Sequence, residues 1–285
     1  PKRSNHSHAK NPHFRRGRLC RSRVLQQWSG RAELSTFPRG FLACASRDDI
    51  LRFIEQEQPD AVLHLAALSD TGFCQQHPEE SDRANVEVPV WMAEGASAAG
   101  AKLAAFSSDQ VYAGTEQDGP LLETLALSPA NVYGRHKLEA EQRVLDLLPD
   151  AVLLRVPWMY DLPSWNLPIR GNLPLNLLRA ALQGTPVTFS RNDHRGVSFV
   201  REIIEQLHPA LSLPGGTYNF GSENDRNMVE TAQQFASLLG ISVSIEVADW
   251  KRNLQMDGSK AASHGIQFSS TIDGFSHCLA EYGLR

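Results

Sequence analysis

Three short, almost wholly apolar runs organise this chain: Ala61-Val62-Leu63-His64-Leu65, Leu103-Ala104-Ala105-Phe106 and Ala151-Val152-Leu153-Leu154-Arg155-Val156. A strand that is apolar on both faces must be covered on both faces, which is the environment of a parallel sheet with crossover helices. The stretches between the runs have helical character. Arg47 to Gln56 is amphipathic, Val86 to Ala99 leads as a helix into the second run, and Asn131 to Leu145 carries apolar residues at Val132, Leu138, Val144 and Leu145. This alternation predicts a doubly wound α/β domain of the Rossmann type. Ligands of such a sheet bind beyond the carboxyl ends of its strands.

With 285 residues and 41% apolar content, the chain can bury a full core as one large or two modest domains. No run approaches the roughly 20 apolar residues of a membrane span, and no signal-peptide pattern opens the sequence. Cys20, Cys44, Cys74 and Cys278 are scattered without C-x-x-C spacing. They read as free thiols of a cytoplasmic protein, giving neither a disulfide frame nor a metal site.

Chemistry is concentrated after the second and third runs. Ser108 follows Phe106 by two residues, where a buried strand surfaces. Tyr133 and Lys137 stand four apart in a helical stretch, which puts both side chains on one face with Cβ atoms about 6 Å apart. A phenol and an ammonium so placed suit proton transfer, since the cation is expected to lower the tyrosine pKa toward a usable value.

Ser107-Ser108-Asp109-Gln110-Val111-Tyr112 and Asn131-Val132-Tyr133-Gly134-Arg135-His136-Lys137, with Ser108 and Tyr133 standing 25 residues apart, together resemble the catalytic segments of the extended short-chain dehydrogenase/reductase superfamily. His136 stands where that family usually has a small hydroxyl residue. The C-terminal third resembles the dTDP-4-dehydrorhamnose reductase group within it. Gly216-Thr217-Tyr218-Asn219-Phe220-Gly221 matches a strand of that group, and Arg252 to Lys260 followed by Gly265-Ile266 matches its last motif. The same pattern resembles the regulatory subunit of methionine adenosyltransferase, and other sugar-nucleotide epimerases or dehydratases share its catalytic part.

The resemblance implies NADPH or NADH as cofactor and a nucleotide-linked 4-ketosugar as substrate. It implies catalytic roles for Ser108, Tyr133 and Lys137, with Tyr133 as proton donor to the nascent alkoxide. It further implies that His64, Ala66, Ala67, Asn85, Ser107 and Pro157 join Tyr133 and Lys137 around the cofactor, and that Asp109, Val111 and Trp158 line the substrate side. A neutral reading of each of these stays open: Asn85 also suits a helix cap, and Trp158 also suits a core. Arg39, after Glu33-Leu34-Ser35, is placed to meet a 2′-phosphate, though a surface arginine in a turn fits equally. The implied layout is a nucleotide-binding domain over residues 24–160 and a smaller substrate-binding part over 161–285, of which about 185–222 returns to the first domain. Nucleic acid and membrane are not implied partners, and a homodimer is left open.

The opening segment departs from this pattern. Such a fold should begin with a strand and a G-x-x-G-x-x-G turn, whose amides and helix N-terminus hold a pyrophosphate. Pro1 to Arg23 instead has eight basic residues and no acidic one; without those eight, 20 basic residues face 32 acidic ones, a net of −12. A basic arm for nucleic acid and a plain tail are two readings. A third is a frameshift. One nucleotide forward, the permitted codons include a methionine across His8 and Ala9, an Ile-Leu-Ile strand over Asn11-Pro12-His13 and a G-A-x-G-F-V-G turn before Val24. On that reading the first strand and the phosphate loop are displaced from the chain. Cofactor affinity is then expected to be weak, and micromolar binding of NADPH in a titration would sink it.

Overall fold

The structure, a computed structural model, describes residues 18–30, 32–164, 169 and 171–284. The segment expected to carry the displaced strand and loop lies outside the described residues as far as Gly17. Its last residues are described, as part of α1 (Arg18–Trp28). Cys20, Val24 and Trp28 recur at four-residue spacing and bury one face of this helix in the core. Arg23 is built in as well: its Nε lies 2.7 Å from Asp161 Oδ2 and its Nη2 2.8 Å from the Tyr282 hydroxyl. The expected boundary at residue 23 therefore falls inside a helix.

α2 (Phe41–Cys44) and α3 (Arg47–Glu57) follow. α3 begins at a reciprocal cap, in which Ser46 Oγ accepts from Asp49 N while the Asp49 carboxylate accepts from Ser46 N. Glu33-Leu34-Ser35 joins no ladder among the described residues, and Arg39 is exposed. In this architecture a second strand pairs with the first, whose expected segment lies outside the described residues.

The expected alternation then appears in order. β1 (Ala61–His64) is followed by α4 (Thr71–Gln76), α5 (Pro78–Asp82) and a π-helical turn at Arg83–Glu87 that runs into α6 (Val88–Ala99). β2 (Lys102–Ser108) ends in a 3₁₀ turn, Asp109–Tyr112, and α7 (Val132–Leu147) leads to β3 (Val152–Val156). Next come β4 (Trp158–Tyr160), α8 (Leu173–Gln183), β5 (Val187–Ser190), β6 (Asp193–Arg195), β7 (Val197–Phe199), α9 (Val200–Ala210) and β8 (Gly216–Asn219). The chain closes with α10 (Met228–Leu239), β9 (Ile245–Ala248), β10 (Arg252–Leu254), α11 (Ser259–Ala262) and α12 (Thr271–Glu281).

The described main sheet is parallel, in the order β1-β2-β3-β8. Successive residues of β2 serve opposite faces. Leu103 and Ala105 pack with Ile50 and Ile54 of α3 and with α6 and α7, while Ala104 and Phe106 pack with α1 and α9. Both faces are covered, as the apolar runs required. The smaller part holds the parallel pairs β4–β7, β5–β9 and β6–β10 around a core of Tyr160, Phe199, Phe235 and Phe275. The return to the main sheet is made by α9 and β8, whereas β5, β6 and β7 stay with the smaller part.

Candidate active site

The site forms where β2 runs out and α7 begins. Asn131 caps α7, its Oδ1 accepting from Gly134 N at 2.8 Å, and its amide also donates to Gln110 Oε1. Gly134 explains the close fit of the helix to the 3₁₀ turn after Ser108: a Cβ there would sit 2.2 Å from Gln110 O. With no side chain at Gly134, Tyr133 comes down beside Ser108, whose hydroxyl donates to Asp109 Oδ1 at 3.2 Å and lies close enough to the phenol to influence its ionisation. Gly134→Ala is accordingly expected to push α7 off the turn. Stability should fall by about 1–3 kcal/mol, and the Tyr133 ring resonances should shift in NMR spectra; unchanged spectra would contradict this account of Gly134.

Tyr133, Lys137 and Glu141 follow one another at four-residue spacing and are all buried against the sheet. Lys137 Nζ donates to the carbonyl of Phe106 at 2.6 Å. Burial pushes its pKa down to about 8, against the pull of Glu141 in the opposite direction. The Tyr133 phenol is driven up, chiefly by burial and further by the neighbouring Asp109 and Cys74, with the nearby Ser108 hydroxyl opposing. The expectation that Lys137 lowers the tyrosine pKa is thus corrected. Its ammonium is turned onto a backbone carbonyl, and desolvation of the phenolate outweighs every favourable contact.

Below this pair runs a buried polar layer. Ser107, Arg155 and Asn219 are ladder partners across β2, β3 and β8. Arg155 forks onto Glu141, with Nε to Oε1 at 3.0 Å and Nη2 to Oε2 at 2.7 Å. Its Nη1 donates to the Tyr112 hydroxyl at 2.7 Å, which donates in turn to Asn219 Oδ1. Ser107 Oγ donates to Glu141, so this hydroxyl, expected on the cofactor side, is spent under α7. His64 pairs with Ala105 and faces the same helix. It is buried, its Nε2 has no partner among the described residues, and burial beside Lys137 pushes its pKa down to about 3.

The remaining expected residues divide. Ala66 and Ala67 are half-buried just past β1. Asn85 is no helix cap: it lies inside the π-helical turn, buried, and its amide brackets the backbone of Leu68, accepting from N at 3.1 Å and donating to O at 3.0 Å. It therefore holds the loop after β1 from behind. Pro157 is buried against Gly221, whose missing Cβ makes the room. Asp109 is buried and ion-paired at 2.5 Å with Arg195, whose guanidinium lies over the Trp158 ring. Val111 is fully buried with Tyr112, Leu254 and Met256, so its side chain serves a core.

Arg195 and Glu141 were not singled out from the sequence. Glu141 left a signal, the third step of a four-residue repeat with Tyr133 and Lys137. Arg195 left none, since only the fold carries β6 to Asp109. A separate groove of about 840 Å³ lies between α1 and α9, lined by Gln27, Trp28, Arg201 and His208, and touches none of these residues.

Residues 17–249 match the family described as the RmlD substrate binding domain. The chain belongs to that family. Among curated relatives it is 33% identical over 113 residues to dTDP-4-dehydrorhamnose reductase of Mycolicibacterium smegmatis, covering 40% of this chain and 34% of the relative. It is 37% identical over 103 residues to methionine adenosyltransferase 2 subunit beta of Bos taurus, covering 36% and 30%. The match thus spans about a third of the length of these two relatives. The fold resembles the crystal structure of dTDP-4-dehydrorhamnose reductase from Bacillus anthracis in complex with NADP, with a TM-score of 0.83 at 15% identity over 92% of this chain and 94% of that one. The doubly wound fold expected from the three apolar runs is therefore that of a family whose members include reductases. No helix among the described residues is long and apolar enough to cross a membrane.

Proposed function

We propose that this site serves the reduction of a nucleotide-linked 4-ketosugar by NADPH or NADH, in a cytoplasmic setting. The observation that carries the reading is the buried, neighbouring pair of Ser108 and Tyr133 with Lys137 one helical turn away. The residues fit a nicotinamide nucleotide at this place. His64 Nε2 is a buried polar atom lacking a partner among the described residues, the alanines after β1 allow a backbone to approach, and Lys137 has two donors beyond the one given to Phe106 O. His64, Ala66, Ala67, Pro157, Tyr133 and Lys137 would hold it, with Ser107 offering only its backbone and Asn85 acting through Leu68. When bound, the nicotinamide supplies the hydride.

The chain's own residues handle the proton and the developing charge. Tyr133, whose pKa is raised, keeps its proton at neutral pH and gives it to the sugar oxygen as negative charge develops there. Ser108 hydrogen-bonds that same oxygen. Lys137 supplies a positive charge beneath both, and Trp158 and Asp109 border the sugar, Asp109 being neutralised by Arg195.

This reading predicts an alkaline limit. Lys137 must be an ammonium, so activity should fall as pH rises through about 8. The stability linkage has the opposite sense: the folded pKa lies below the ordinary lysine value, so burying the charge costs stability below pH 8. That cost fades as the pH climbs toward the unfolded value. A pH–rate profile flat from pH 7 to 10 would count against the assignment of Lys137.

The deciding experiment follows nicotinamide absorbance with dTDP-4-dehydrorhamnose, in the chain as it stands and in a repaired chain carrying the second-frame strand and loop ahead of Val24. Oxidation of NADPH that depends on the ketosugar supports the reading. A repaired chain that binds NADPH yet never reduces the sugar overturns it. The similarity to methionine adenosyltransferase 2 subunit beta favours one alternative, a non-catalytic regulatory subunit. Co-purification with a methionine adenosyltransferase, together with absent reduction, would select it.

A further inference from the structure

We propose that Glu141 is a positioning residue for Lys137, keeping its ammonium charged and its helix in register with the end of β2. Three observations converge on it. Glu141 is one turn beyond Lys137 on the same buried face of α7, so its carboxylate is the acidic group nearest in sequence on that face. Its two oxygens are occupied by the Arg155 fork from β3 and the Ser107 hydroxyl from β2. Those bonds leave it a fixed acceptor that cannot swing away from the layer. β2 is thereby gripped twice by α7 at consecutive residues, through Phe106 O to Lys137 and through Ser107 Oγ to Glu141. Ser108, the next residue, is set by that grip against Tyr133.

Charge gives Glu141 a second task. The groups facing Lys137 are Tyr133 and Glu141 on its own helix and His64 from β1, with Arg155 of β3 behind Glu141 and Asp109 and Cys74 beside Tyr133. Tyr133 and His64 are held neutral by burial. The layer under α7 then carries two cations, Lys137 and Arg155, and Glu141 is its one anion among the described residues. Without that carboxylate, a desolvated ammonium would face a desolvated guanidinium, and the lysine would release its proton at lower pH. Glu141 touches neither the sugar nor the cofactor in this arrangement; it acts through Lys137.

The inference rests on the proposed reading of the site only for its consequence in catalysis. The test is an NMR titration of Lys137 Cε or Nζ in the unliganded full chain, compared with Glu141→Gln/Arg155→Met, which removes both charges of the pair. The Lys137 midpoint should fall by about one pH unit, a tenfold change in its protonation equilibrium. An unmoved midpoint in the folded double variant overturns the proposal and leaves Glu141 a structural partner of Arg155. If the double variant does not fold, the same titration is read in Glu141→Asp, which keeps the charge but withdraws it by one methylene. A lowered midpoint there supports the proposal, and an unmoved one overturns it. In the repaired chain, the alkaline limb of the rate profile should move with the midpoint. A moved midpoint in a chain that reduces no ketosugar sinks the functional reading while leaving Glu141's role intact.

Discussion

Arg155→Met, made alone, is expected to lower stability by about 3–5 kcal/mol. The guanidinium is almost fully buried, forks onto Glu141 and donates to the Tyr112 hydroxyl. Truncating it leaves the Glu141 carboxylate desolvated, with only the Ser107 hydroxyl and the Lys137 charge one helical turn away to offset it. It also strips the Tyr112–Asn219 pair of a donor in the middle of the sheet. Loss on this scale is a large share of the roughly 5–15 kcal/mol margin of a typical folded domain. The Glu141→Gln/Arg155→Met pair should recover most of it, because a neutral pair removes the uncompensated charge together with its partner. Urea unfolding of the two variants checks this. A single variant within about 1 kcal/mol of the parent would mean that water reaches the layer and solvates Glu141.

Tyr133→Phe should separate chemistry from folding. In the repaired chain, ketosugar reduction is expected to drop by about 10²–10⁴-fold, the usual worth of a positioned proton donor. The fold should change by about 1 kcal/mol at most, since the phenol oxygen only neighbours Ser108 and the ring remains packed with Leu68, Val132 and Cys74. The measurement is turnover at saturating NADPH alongside a thermal melt. Unaltered turnover would remove Tyr133 from the reaction. A collapsed melt would instead make its hydroxyl a structural group.

Much of the fold was legible because burial on both faces writes itself directly into composition. Leu103 to Phe106 and Ala151 to Val156 carry apolar residues on both strand faces, so a covered parallel sheet followed without knowledge of any contact. The Tyr133–Lys137 spacing likewise fixed a shared helix face, since 3.6 residues per turn leaves little choice. Ionisation was not legible in this way. Nothing in the order of residues told that Lys137 would turn to Phe106 O, or that burial would raise Tyr133 instead of letting the ammonium lower it. Asn85 was expected at a helix start, yet it braces Leu68, because a π-helical turn placed it inside the helix.

By itself, then, the sequence determined the alternation of strands and helices, the place of Ser108 at a strand end, and the pairing of Tyr133 with Lys137 on one face. These are local consequences of periodicity and chain geometry. Only the tertiary structure decided what surrounds them. Arg195 reaches Asp109 from 86 residues away, Arg155 and Ser107 meet on Glu141, and Gly134 allows α7 to press on Gln110 O. Such contacts join distant segments, and the energy of a buried charge depends on every desolvated neighbour at once. No local pattern along the chain records that sum.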